Sequence, residues 1–174
     1  MPRPAPNASG GSELVRRAGL DVVGSLGAAP AAVLGGALVL GVGTSAWSLD
    51  LEGRVDLPRE RTQDGIGVRS SLVLGLVVPC MRLAPFVICP LAALGALRGE
   101  GIKVAEPRRD ATFYSAFGLR AGLEAPLGGT LFARLHTEFL APVTPTTLKV
   151  HGSTVWETPA ASGSAGLGLM GCFR

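Results

Sequence analysis

Charge is what this chain has least of. Asp, Glu, Lys and Arg make up 17% of its 174 residues, aromatics only 5%, and there are two His and one Tyr. No Lys/Arg run is interleaved with aromatics and the net charge is a modest +3, which argues against nucleic acid as a partner. The three Cys have no metal-ligand spacing, so neither a metal site nor a cofactor is expected. Charge is missing altogether between Asp21 and Asp50, and only Arg82 interrupts 70–97. Each stretch is long enough for a membrane-spanning helix. Gly24, Gly27, Pro30, Gly35, Gly36, Gly41 and Gly43 in the first, and Pro79, Pro85 and Pro90 in the second, argue against helices there.

What the chain does have is glycine, 25 residues of it, a mean hydropathy of +0.39, and a recurring two-residue alternation. Trp47, Leu49, Leu51, Val55 and Leu57 alternate with Ser48, Asp50, Glu52, Arg54 and Asp56. Phe113, Phe117, Leu119 and Leu123 alternate with Tyr114, Arg120 and Glu124, and Leu131, Leu135 and Phe139 with Arg134, His136 and Glu138. Successive strand side chains point to opposite faces, so each segment reads as a strand with one apolar and one charged face. Read with this period, the chain divides into eight strands at about 15–26, 32–43, 47–57, 67–81, 86–98, 112–125, 130–141 and 162–173. The expected fold is all-β, an eight-stranded antiparallel up-and-down transmembrane barrel with lipid outside and charges within. Residues 1–13 are rich in Pro, Gly, Ser and Asn and read as a disordered lead or linker, with the barrel over 14–174. No export signal is recognisable in that lead.

The connections after strands two, four and six are short, and those after three, five and seven are long and polar, which predicts loops at 58–66, 99–111 and 142–160. Outer-membrane barrels show this asymmetry between their two ends. Trp47, Phe86, Phe132 and Phe173 would ring the short-turn rim, with Phe113 and Trp156 toward the other. On this register Arg17, Arg54, Arg69, Arg98, Arg120 and Arg134 face inward with Asp21, Asp50, Glu52, Asp56, Glu124, Glu138 and His136. A narrow lumen tolerates charge only when it is paired and hydrogen-bonded, so the balanced set reads as structural filling that closes the pore.

The eight alternating segments, the strand from Trp47 to Leu57, the hairpin Val78-Pro-Cys80…Phe86-Val-Ile-Cys89 and the end Gly166-Leu-Gly-Leu-Met-Gly-Cys-Phe173 resemble small bacterial outer-membrane β-barrels of the OmpA/OmpX type, and among them uncharacterised barrel proteins of myxobacteria. The resemblance covers about 14–174. It implies a non-catalytic, monomeric protein of the bacterial outer membrane that meets membrane lipid and lipopolysaccharide. It also implies handling by the barrel-assembly machinery, which reads a terminal aromatic; Phe173 fits and Arg174 follows it.

Cys80 and Cys89 flank a turn symmetrically and would face each other on paired strands, as a disulfide needs; the alternative is two independent small apolar residues. Cys172 is left without a partner. His136 and Glu138, with Ser nearby, invite comparison with barrel enzymes that modify lipid A, but they fall in the inward stripe, where lipid does not reach. Gly166-x-Gly168-x-x-Gly171 has the dinucleotide spacing without a following helix, so these glycines are expected to relieve crowding in the lumen. A soluble lipocalin-like barrel shares the alternation but reverses it, placing apolar residues inside and charges outside.

Overall fold

Backbone N–H and C=O groups in so apolar a chain need partners that water does not supply, and here they find them sideways, strand to strand. The computed structural model describes residues 13–27, 32–63, 66–102, 109–144, 147–150, 153–157 and 159–173. The strands are β1 (Val15–Leu26), β2 (Val33–Gly43), β3 (Trp47–Gln63), β4 (Ile66–Leu83), β5 (Phe86–Ile102), β6 (Arg109–Gly128), β7 (Leu131–Pro142), β8 (Thr147–Val150), β9 (Ser153–Glu157) and β10 (Ser162–Phe173). Eight of them close an antiparallel barrel in the order β1-β10-β7-β6-β5-β4-β3-β2, and β8 and β9 form a separate hairpin in the connection between β7 and β10. The expected eight-stranded up-and-down barrel is what the chain forms. Both uncharged stretches that could have been helices are strand pairs, β1–β2 and β4–β5.

One end of the barrel carries three tight turns, at 44–46, 84–85 and 129–130. Gly128 and Gly129 turn the chain with φ of 121° and 57°, values that L side chains rarely adopt. Neighbouring turns are tied together at this rim: the N–H groups of Arg82, Glu124 and Cys172 donate to the carbonyls of Ala46, Pro85 and Thr130, each at 2.9 Å. Trp47, Phe86 and Phe173 are exposed there and Phe132 is half-buried. Phe113 is exposed toward the other rim, and the side chain of Trp156 lies outside the described residues.

The other end differs from expectation. Much of the predicted loops at 58–66 and 99–111 is strand: β3 and β4 pair as far as Gln63↔Ile66, and β5 and β6 as far as Glu100↔Arg109. Strands β3 to β6 are 17, 18, 17 and 20 residues long, against 12, 11, 12 and 12 for β1, β2, β7 and β10. A membrane-spanning strand needs only about 9–11 residues, so these four project beyond the barrel as a sheet. Pro58, which reads as a strand end, lies at the register shift between Asp56 and Arg59, where a bulge lets the strand run on past a residue without an N–H.

The lumen has two unlike walls. Leu72, Leu74, Leu76 and Val78 of β4 pack with Val87, Leu91, Ala93 and Leu97 of β5, and with Tyr114, Ala116 and Leu140, as one apolar cluster. Apolar on the outer face as well as the inner, β4 and β5 read as continuous apolar runs rather than as alternation. The other wall, from β1, β3, β7 and the part of β6 holding Arg120 and Glu124, carries the charges.

Candidate functional site

The charged wall is built by parity. Arg17 and Asp21 on β1, Asp50, Glu52, Arg54 and Asp56 on β3, Arg120 and Glu124 on β6, and Arg134, His136 and Glu138 on β7 all point inward, and each is no more than 9% exposed. They join into one ladder along the lumen. At the turn rim Glu124 is held by both Arg17 and Arg82. Arg17 and Arg134 share Asp50, at 4.0 and 3.6 Å. Arg134 also binds Asp21 and lies 3.7 Å from Glu52. Arg120 donates to Glu52 at 2.7 Å, and through its Nε to Glu138 at 2.7 Å. Arg54 then links Glu138 at 3.1 Å to Asp56 at 2.9 Å, and Ser25 donates to Asp56 at 3.2 Å. Ser164 donates to Glu138 at 2.6 Å, while His136 Nε2 stands 3.7 Å from the same carboxylate. Charges taken out of water need such shared partners, because an unpaired one costs several kcal/mol.

Room for this ladder comes from glycine on the facing strands. The register sets Gly168 opposite Asp21, Gly41 opposite Asp50 and Gly166 opposite His136. A methyl group at Gly168 would lie 1.8 Å from Asp21 Oδ1, one at Gly41 2.1 Å from Asp50 Oδ1, and one at Gly166 2.4 Å from the His136 ring. Two glycines of the triplet near the end of the chain, Gly168 and Gly166, are therefore steric relief for Asp21 and His136, while the third, Gly171, stands against Phe173.

Two expected members do not join. Arg69 and Arg98 are exposed on the outer face, because the inward residues of β4 are the even-numbered Ser70 to Cys80 and those of β5 the odd-numbered Val87 to Leu97. Both arginines lie past the apolar belt, where the sequence is polar on either parity and a charge no longer marks the lumen. Arg69 instead pairs outside with Glu60, its Nε donating at 3.1 Å. One member was missed. Arg82 shares the parity of Val78 and Cys80 and reaches Glu124 from the rim, a signal the alternation on β4 contained.

Cys80 and Cys89 form a disulfide with Cα atoms 4.1 Å apart, and Cys172 is free. Among the described residues no group of three or more His, Cys, Asp or Glu is arranged to hold a metal ion. Chemically the ladder offers a fixed, water-poor row of ion pairs against an aliphatic wall.

No protein-family model matches the sequence, and no curated protein sequence matches it. Solved structures do match in shape. Ail, the attachment invasion locus protein of Yersinia pestis, whose crystal structure was determined in complex with the heparin analogue sucrose octasulfate, superimposes with a TM-score of 0.57 over 93% of this chain and 99% of its own, at 12% identity. Neisserial surface protein A superimposes with a TM-score of 0.55 over 91% of this chain and 96% of its own, at 8% identity. Both are eight-stranded barrels of the OmpA/OmpX type, and this chain has their fold. Neither match bears on the likeness to myxobacterial proteins.

Proposed function

We propose that this chain is a non-catalytic barrel of the bacterial outer membrane, with a closed lumen and a structural or interaction role carried by its projecting end. The observation that carries this reading is the inversion of burial. Leu20, Leu38, Leu51, Leu119, Leu135 and Leu167 stand between 50% and 65% exposed on the outside, while Asp50, Glu52, Arg54 and Arg120 are at most 3% exposed within. In water such a surface would associate; in lipid it is the stable arrangement. A lipocalin-like barrel requires the opposite assignment of faces. Lipid A modification requires a catalytic group that lipid can touch, and His136 is 1% exposed inside the lumen.

On this reading the belt meets membrane lipid, and the projecting end meets lipopolysaccharide. The assembly machinery engages the terminal strand β10, where Phe173 is 54% exposed at the turn rim. The Cys80–Cys89 bond fits an oxidising compartment such as the periplasm. The protein acts as a monomer, without nucleic acid.

The test is refolding from urea into phosphatidylcholine vesicles. The wild type should insert, resist alkaline carbonate extraction and migrate differently when unheated. Leu49→Arg with Leu119→Arg should block insertion, since Arg at mid-bilayer costs about 2–4 kcal/mol per site. A monodisperse, detergent-free soluble monomer with strand-rich circular dichroism would overturn the reading.

A further inference from the structure

The outer face changes character over three rows of side chains on β4, β5 and β6. Val73, Ala96 and Phe113 are directly opposite one another and end the apolar belt. The next row is Ser71, Arg98 and Ala111. Beyond it Arg69 faces Glu100 across β4 and β5, and Arg69 is paired with Glu60. Arg98 is thus the first cation above the belt. It is exposed, and no side chain among the described residues neutralises it. Its neighbours Ser71 and Ala111 are small, so the row is not filled. A groove of about 430 Å³ opens there, lined by Arg98, Ser71, Ala111, Pro58, Arg69 and Glu100.

We infer that this groove is a binding site for the phosphate of a lipid headgroup in the leaflet on the projecting side, held by Arg98 with Ser71 beside it. A guanidinium presents a rigid fork of donors that matches phosphate oxygens, and it is more weakly hydrated than an ammonium, so it suits a boundary where water thins out. The apolar row just below gives the acyl chains a surface to follow, which a free phosphate would not use. The ion pair at Arg69 walls the site on its wet side. This inference rests on the membrane reading and goes beyond it by naming the site.

The probe is phosphatidylglycerol, titrated onto the folded protein in a non-ionic detergent and counted by native mass spectrometry. The wild type should retain one lipid, and excess inorganic phosphate should not displace it. Arg98→Gln should weaken retention at least about fivefold, through loss of a charge-assisted contact. Ser71→Leu, which fills the groove and keeps the charge, should do the same. Unheated gel mobility reports that each variant is folded. Retention unchanged in either folded variant, or displacement by inorganic phosphate, would overturn the site while leaving the barrel in its membrane. Failure of the membrane reading would appear differently, as a protein that needs no detergent at all.

Discussion

Asp21 and Asp50 in this lumen are each seated against a residue that has no side chain. Gly168 makes room for Asp21 and Gly41 for Asp50, and in each case the strand's backbone carbonyl also lies close, 2.5 Å and 2.7 Å from where a methyl would stand. Gly168→Ala should therefore cost about 1–3 kcal/mol by overpacking. Gly53→Ala faces open space outside and should cost nothing measurable. Urea unfolding from vesicles, read by tryptophan fluorescence, separates the two. Ion pairs differ in the same way by location. Glu138 holds Arg120, Arg54 and Ser164 at full burial, so Glu138→Ala should lower stability by about 3–5 kcal/mol. Glu60 and Arg69 are each half-exposed, and Glu60→Ala should cost less than about 1 kcal/mol. Equal losses at Glu138 and Glu60 would contradict a water-poor lumen. The alternation alone placed Asp50 to Asp56 and Arg134 to Glu138 on one face. It misled at Arg69 and Arg98, because polarity identifies the lumen only where the other face is apolar.

Strands β4 and β5 show what an element must do when its own hydrogen bonds fail. Their ladder runs to Val77↔Ala92 and resumes at Met81↔Ile88. In the gap lie Pro79 and Pro90, which have no N–H to give and pair on their other sides with Leu49 and Leu119. The Cys80–Cys89 bond spans the same gap. Thiol labelling of the unfolded, non-reduced protein should mark Cys172 alone. Cys80→Ser with Cys89→Ser should lower stability by about 2–3 kcal/mol, the loop-closure value for so short a ring. Three labelled thiols in protein from an oxidising compartment would contradict the bond. The pairing was legible because the two Cys are symmetric about the 84–85 turn. The extension of β3 to β6 was not: beyond Asp56 and Leu97 both faces are polar, the two-residue period vanishes, and Pro58 looks like a stop.

At the scale of the whole molecule, a ladder of charges and an aliphatic wall line an eight-stranded barrel, and on the proposed reading they close it to ions. Planar bilayers containing the protein should show no steady conductance, and defined current steps altered by Arg120→Ala would make it a pore. The central claim, however, is which face meets lipid. It is tested most directly by nitroxide labels at Leu38→Cys, Leu51→Cys and Leu119→Cys in a Cys172→Ser background, with collision rates measured for oxygen and for a water-soluble nickel chelate in vesicles. All three positions are more than half exposed on the outer wall. The account predicts high oxygen and low nickel accessibility at every one. Nickel accessibility at these three sites equal to that of a label in bulk water would contradict it.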